Sequence, residues 1–219
     1  MLSTLLVIIS ISALYWFPVR RWFGQWGTTP DDLTRVMAGD SVITNPAHSA
    51  THAVTVDAPP EAIWPWLVQM GYQRGGLYSY DWLDRLFGFL DRRSADRILP
   101  EFQHLAVGDT IRLGPREALA VTAIDPARAL VLSYDRHGFE WVWQFGLYPS
   151  GQGRTRLVTR GTERFTNTFA TWLFMRVMEP AAFVMTRRML LGLKQRAESE
   201  WRRPSGHGGA SRVDRVAAA

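Results

Sequence analysis

Residues 54–67 read Val54-Thr55-Val56-Asp57-Ala58-Pro59-Pro60-Glu61-Ala62-Ile63-Trp64-Pro65-Trp66-Leu67. An alternating stretch ends at Asp57, and two prolines follow in a place that suits the first turn of a helix, where a missing N–H costs nothing. Glu61 adds a negative charge near the positive end of the helix dipole. Just upstream, residues 51–57 place His52, Val54 and Val56 on one face and Thr51, Ala53 and Thr55 on the other. That period predicts a first, edge-prone strand running straight into a helix. Pro65 would cost a helix interior roughly 3 kcal/mol unless the helix bends, so a short helix, kinked or tightly wound at Trp64, is expected.

Gly71 ends this helix, and Arg74-Gly75-Gly76 is expected to be a mobile connection into a second short helix over Tyr78-Ser79-Tyr80-Asp81-Trp82-Leu83-Asp84-Arg85-Leu86. Residues 91–108 read as irregular, with Pro100 a breaker. Apolar, β-branched runs at 109–113, 118–124 and 129–135 are separated by the turn dipeptides Gly114-Pro115 and Asp125-Pro126, which marks strands. Residues 139–149 alternate most clearly and put Trp141, Trp143, Phe145 and Leu147 on one face. Ser150-Gly151-Gln152-Gly153 turns the chain into 154–164, where Arg154, Arg156 and Arg160 share a face with Val158, while Thr155, Leu157, Thr159 and Glu163 share the other. An antiparallel meander with one wet face is expected. Residues 169–178 are helical in pattern, and Pro180 restarts or kinks a longer helix to Trp201. Phe183, Thr186, Met189, Leu190, Leu193 and Ala197 form its apolar stripe.

The ends of the chain differ in composition from this middle. Residues 1–19 carry no charged side chain and would span roughly 27 Å as a helix. Tyr15, Trp16 and Phe17 close the run, followed by Pro18, Arg20, Arg21 and Trp22, the order of an interfacial aromatic belt with snorkelling arginines. We read residues 1–23 as an N-terminal membrane anchor, the alternatives being a cleaved signal or an interfacial helix. Because the arginines follow the span, a single-pass cell-membrane protein with its folded domain in the cytoplasm is expected. Residues 24–49 form a tether, in which Thr28 or Thr29 can cap a short helix through Met37. Residues 50–201 are the domain, and 202–219, without periodicity, a disordered tail.

Composition narrows the chemistry. Of 219 residues, 47% are hydrophobic, enough for one core. The absence of cysteine excludes disulfides, Cys-ligated zinc and thiol catalysis. The formal charge is +5 and almost all arginine, Lys194 being the only lysine. No basic recognition motif accompanies it, so nucleic acid is not an expected partner and an anionic membrane surface is. No feature assigns an oligomeric state.

Strand, two short helices, strands and a long C-terminal helix make an α+β order with an antiparallel sheet. In residues 54–67 the sequence resembles the START-like, or SRPBCC, helix-grip superfamily. Within it the chain is similar to a bacterial subgroup without a settled activity, through Gln69-Met70-Gly71, Arg74-Gly75-Gly76, Tyr78-Ser79-Tyr80-Asp81-Trp82-Leu83, Ser94-Ala95-Asp96-Arg97-Ile98, Leu105-Ala106-Val107-Gly108-Asp109 and Ala129-Leu130-Val131-Leu132. The resemblance covers residues 26–200. It implies a curved sheet around the C-terminal helix with a hydrophobic cavity between them. Superfamily members bind lipids, sterols, polyketides or hormones, and some are aromatase/cyclases.

Trp141, Trp143 and Phe145 would face Phe183 on the helix stripe, either as a ligand wall or as plain core. Tyr78, Tyr80, Asp81 and Trp82 follow the glycines and suit a lid, unless Asp81 merely caps the helix and the rings pack on the sheet edge. Glu163, on the inward set, needs a partner such as Arg97, forming either a head-group anchor or a structural ion pair. His104 beside Glu101 and His137 beside Glu140 read as solvated surface. His48 and His52 could be proposed as metal ligands at i, i+4, but residues 51–57 read as a strand, where that spacing gives no shared set of ligands with a carboxylate, so no metal site is expected. No nucleophile elbow, phosphate loop or dinucleotide fingerprint occurs, and no cofactor is expected. Two functions follow: membrane-tethered binding of a hydrophobic small molecule or lipid, or an aromatase/cyclase-type enzyme in which Tyr78, Tyr80, Asp81 or Glu163 moves protons. A scaffold with the Tyr78 cluster exposed as a patch is the third reading.

Overall fold

The computed structural model describes residues 4, 7, 18–136, 138–166 and 168–203. In chain order these form α1 (Arg20–Gly24), α2 (Pro30–Thr34), β1 (His48–Val56), α3 (Pro60–Val68), α4 (Asp81–Leu86), a 3-10 turn (Pro100–Phe102), β2 (Thr110–Arg112), β3 (Ala118–Asp125), β4 (Ala129–Arg136), β5 (Phe139–Pro149), β6 (Thr155–Phe165) and α5 (Phe169–Arg202). The strands make one antiparallel sheet in the order β1-β6-β5-β4-β3-β2. Thus β2 to β6 meander and β1 closes one edge. A bulge between Val121 and Ala123 bends β3. Helix α5 packs closest on α3 and β1. This is an α+β helix-grip arrangement.

Pro60 takes the first position of α3, with Pro59 extended before it at ψ 161°. Pro65 stays inside α3 without ending it. The carbonyl it deprives of a partner belongs to Glu61, which is exposed and open to water. Ile63, Trp66 and Leu67 from α3 meet Leu190, Leu193 and Ala197 of α5 in the core. Each such large side chain contributes roughly 1.5–3 kcal/mol by leaving water. Pro180 does not restart the C-terminal helix: α5 is continuous for 34 residues, capped by the Thr168 hydroxyl.

The outer face of the sheet is covered, not wet. Residues 24–47 lie across it, with Thr29 and Asp32 closing a capping box at α2, which stops at Thr34, short of Met37. Met37 packs on Ala53 and Val158, and Ile43 on Val131 and Val142. Arg156 holds Asp32 at 2.6 Å, and Arg160 holds Asp40 at 2.6 Å while donating to Thr51 and the Asp32 carbonyl. Gln144 joins them, accepting from Gly39 N–H and donating to Asp40. Burial alone would raise the Asp32 carboxyl, but Arg156 and the Thr29 bonds outweigh it and hold the carboxyl below its usual range. The presumed tether is thereby part of the folded unit.

The segment expected to be mobile is instead a locked turn. Gly71 and Gly76 exchange backbone hydrogen bonds at 3.0 and 3.1 Å, Gly75 N–H reaches the Gln69 carbonyl, and Ala95 N–H reaches the Gly75 carbonyl. Gly71 and Gly76 sit at φ 121° and 78°, where a side chain is strained. The buried Gln69 side chain donates to Arg97 C=O and accepts from Leu99 N–H, and Asp81 accepts from both Ser94 groups. The short motifs between residues 69 and 98 are therefore held together by mutual hydrogen bonds, whereas Ala129–Leu132 lies within β4. The Tyr78 backbone passes over Gly192 of α5, whose missing side chain permits the contact.

The anchor of residues 1–23 lies, up to residue 17, outside the described residues except for Thr4 and Val7. Among the described residues no helix is long and apolar enough to cross a membrane. The expected tail likewise lies outside them from residue 204.

Replacing Gly192 with alanine drives a methyl group into the Tyr78 carbonyl. Chemical denaturation of Gly192→Ala should show a loss of about 1–3 kcal/mol, the usual cost of overpacking.

Candidate ligand-binding site

Register across four strands decides what faces α5. Pairing sets His48, Glu163, Trp141 and Tyr134 in one inward row, and Ala50, Gly161, Trp143 and Leu132 in the next. His52, Thr159, Phe145 and Leu130 make a third, and Val54, Leu157 and Leu147 a fourth. The fourth row and the Phe145–Leu130 half of the third hold closed core, Phe145, Leu130 and Leu157 being at most 1% exposed, while His52 and Thr159 line the gap. In the second row Ala50 and Gly161 contribute almost no bulk, so the sheet and α5 stand apart there.

The gap is a cavity of about 580 Å³, within the range of small-molecule sites. Its wall combines Trp141, Trp143 and Phe139 from β5, Phe89 and Leu77 from the loops around α4, and Phe174, Met178, Phe183 and Met185 from α5. The rings of Trp141 and Trp143 stack at 5.5 Å, and Phe23 stacks on Phe183 at 4.7 Å. The Trp143 indole N–H is spent internally, on the Thr159 hydroxyl at 3.1 Å. Ser79, Glu117 and Tyr134 add separate polar points.

At one end the wall is ionic. His48 Nδ1 lies 3.4 Å from Glu163 and Nε2 3.7 Å from Glu179, which also holds Arg176 at 2.9 Å and Arg20 at 3.1 Å. Four elements, β1, β6, α5 and α1, meet there. Bonding to Glu163 and then Glu179 pushes His48 up to about 9 against the opposing effect of burial, so it is cationic at neutral pH. Burial would raise Glu179, but His48 and the two arginines hold it below its usual range. At 3.4 Å the His48–Glu163 contact is an ion pair; neither Nδ1 nor Oε2 has a well-angled hydrogen bond among the described residues. His52, four residues along, is the opposite case. Burial pushes it down, and its Nε2 faces the Phe23 carbonyl at 2.6 Å. A carbonyl only accepts, so Nε2 carries the proton of a neutral ring.

Of the residues singled out in the sequence, Trp141, Trp143, Glu163 and Phe183 line this cavity. Phe145 lies beneath its floor. Tyr78, 1% exposed, is buried under α5, donates to the Trp66 carbonyl at 3.1 Å, and packs under Arg196; burial raises its phenol far above the usual range. Tyr80 sits beneath Arg188, Asp81 binds Ser94, and Trp82 points into solvent at 66% exposure. None of the four is among the cavity-lining residues, so the lid expected of them does not form over it in this conformation. Glu163 pairs with His48 and not with Arg97, which is exposed. His104 and Glu101 are exposed, Glu140 pairs with Arg164 at 2.6 Å, and residue 137 lies outside the described residues. Among the described residues no cluster of possible ligands could hold a metal ion.

Sequence reading passed over His48 as a cavity group, together with Glu179, Arg176 and the Ala50–Gly161 pair. Extending the strand alternation back three residues, from Thr51 to His48, would have put His48, Ala50 and His52 on one face; their meeting with β6 needed the register.

The fold and its cavity define a helix-grip protein with an amphiphilic interior. No protein-family model matches the chain, and no curated protein matches it. Similar solved structures include protein MLL2253 from Mesorhizobium loti, at 17% identity over 69% of this chain and 98% of that one, with a TM-score of 0.42. A truncated norcoclaurine synthase from Thalictrum flavum is 12% identical over 72% of this chain and 95% of its own, with a TM-score of 0.42. CalU16 from Micromonospora echinospora is 14% identical over 70% and 85%, with a TM-score of 0.34. Likeness at this distance assigns no activity.

A histidine raised on folding contributes stability that is complete below its unfolded value near 6.5 and is lost as pH rises through about 9. Stability measured by denaturation at pH 6 and at pH 10 should fall by up to about 3 kcal/mol more in the parent chain than in His48→Gln. Equal falls would mean that the ion cluster does not bind the proton more tightly in the folded state.

Proposed function

We propose that the cavity between the sheet and α5 binds a hydrophobic small molecule or lipid, with the chain held at a membrane by residues 1–23. One observation carries the binding reading: an aromatic and methionine-rich space of about 580 Å³, open on one side, with an ionic cluster at one end around His48, Glu163 and Glu179 and Glu117 as a separate carboxylate on the wall. A merely packed core would fill the space over Ala50 and Gly161; here that space is open, and Trp143 beside them lines it. Such a wall suits an elongated amphiphile, its apolar body beside Trp141 and Phe183 and a polar terminus toward His48 and Glu163. Phe145, behind the floor, would shape the pocket without touching the ligand. The arginines that follow the uncharged run at residues 1–19 support a single-pass orientation with the domain in the cytoplasm. The helix-grip arrangement and the motif series support assigning the chain to the START-like, or SRPBCC, superfamily.

A second reading, an aromatase/cyclase-type enzyme acting on a polyketide-like chain, keeps one of its four proposed proton carriers. Glu163 faces the cavity beside a cationic His48, whereas Tyr78, Tyr80 and Asp81 lie outside it. Glu163→Gln would abolish turnover under this reading and leave occupancy of the cavity intact.

Gly161 has an ordinary backbone, and a side chain there would touch only the Trp141 indole at 3.5 Å before entering the cavity. Native mass spectrometry and organic extraction after mild purification should find a bound amphiphile in the parent chain and about tenfold less in Gly161→Leu, for a folded variant whose cavity is filled. An empty parent chain would sink the binding reading.

A further inference from the structure

The first half of α5 is built unlike the second. Its buried residues begin only at Phe183, and before that point Phe169, Leu173, Phe174 and Val177 are exposed, with Trp172 at the margin of exposure. The only charged side chains between 169 and 182, Arg176 and Glu179, are drawn into the ionic end of the cavity. The outward face there is therefore uncharged. Phe174, 61% exposed, lines the cavity at the same time, as does Phe87, 38% exposed, at the end of α4. A residue that is both lining and exposed marks an opening, so the mouth lies between these two rings, with exposed Glu117 as a carboxylate on the same rim near Gly88. Trp82 and Leu86 extend the apolar collar along α4, with exposed Arg85, Arg92 and Arg93 among them and Asp91 as their acidic neighbour.

The chain itself points to what covers this collar. Residues 1–19 form an uncharged run that enters the domain through α1. Helix α1 packs on α5 at the cavity wall: Trp22 and Phe23 contact Phe183 at 4.9 and 4.7 Å, and Arg20 pairs with Glu179. Exposed Arg21 follows at the boundary.

We propose that the cavity mouth docks face-on to a phospholipid bilayer, with the Phe174 and Phe87 rims seated at the acyl boundary and the arginines among the head groups. This rests on the binding reading above and adds its ligand source: the amphiphile comes from the bilayer and passes into the cavity without crossing water. An apolar helix face next to arginines binds an anionic interface through area and charge together. The ionic end of the cavity, on α5 at Glu179, stands one turn from the collar and meets the polar terminus of an entering lipid.

The chain has no cysteine, so single labels report cleanly. Leu86→Cys and Val177→Cys, 72% and 66% exposed in the parent, carry an environment-sensitive fluorophore at the collar. Val107→Cys, 60% exposed in the loop before β2 and no part of the cavity wall, is the control. The full chain is reconstituted in phosphatidylcholine vesicles with and without phosphatidylglycerol, and circular dichroism checks each variant's fold. Expected is an emission rise of about twofold or more with a blue shift at both collar labels, greater with the anionic lipid, quenched by spin-labelled lipid and absent at residue 107. Chains that float with the vesicles while the collar labels stay in water would overturn the docking and leave the cavity reading standing. Collar insertion with no extractable amphiphile would uphold docking and remove the cavity reading instead. A blue shift present without vesicles and lost on dilution would mean that a second copy covers the collar, which also overturns the proposal.

Discussion

Nine consecutive residue pairs join β1 to β6, from His48 with Glu163 to Val56 with Thr155. Side chains alternate along a strand, so a slip of one residue would exchange everything on the two faces. It would send Arg156 and Arg160 into the apolar interior and put Leu157 and Thr159 against residues 24–47. The register is held from both sides. Outside, Arg160 reaches Thr51 directly across the pair; inside, His48 faces Glu163. The cavity depends on the same constraint, because Ala50 and Gly161 leave room only while they share a row with Trp143.

Charge is buried on both faces of β6, and for different ends. The outer group, Arg156, Arg160, Asp32, Asp40 and Gln144, is closed by hydrogen bonds to backbone as well as by its ion pairs. Completed in that way, it fastens the N-terminal segment at the desolvation cost of groups that are all partnered. The inner group around His48 is less complete, its Nδ1 and Glu163 Oε2 lacking well-angled hydrogen bonds. A half-satisfied ionic cluster beside an apolar space is expensive to keep as structure alone, and it is the feature that sets this interior apart from packed core.

The elements were legible wherever their cause was local. Pro59-Pro60-Glu61 marks a helix start by the geometry of proline, and the alternation over 139–149 marks β5 to the residue. Trp141, Trp143 and Phe183 were legible as inward-facing for the same reason, but period alone did not separate cavity wall from packed core. The glycines at 71–76 misled because glycine permits mobility and close packing equally; which of these holds depends on Gln69, Ser94 and Tyr78 arriving around them. Arg160 looked solvated because its strand alternates as a half-exposed one does, and nothing local shows that residues 24–47 come back over it.

Periodicity, breakers and caps by themselves determined an α+β chain with a meander, a C-terminal helix and an aromatic inward face, because each of those is set by neighbours within a few positions. Tertiary structure alone decided that His48 would become a cation between Glu163 and Glu179, residues more than a hundred positions away in sequence. It also decided that Tyr78 would be core while Phe87 and Phe174 frame the opening. Pairing register and the placement of α5 bring distant residues together, and no local preference encodes which of them meet.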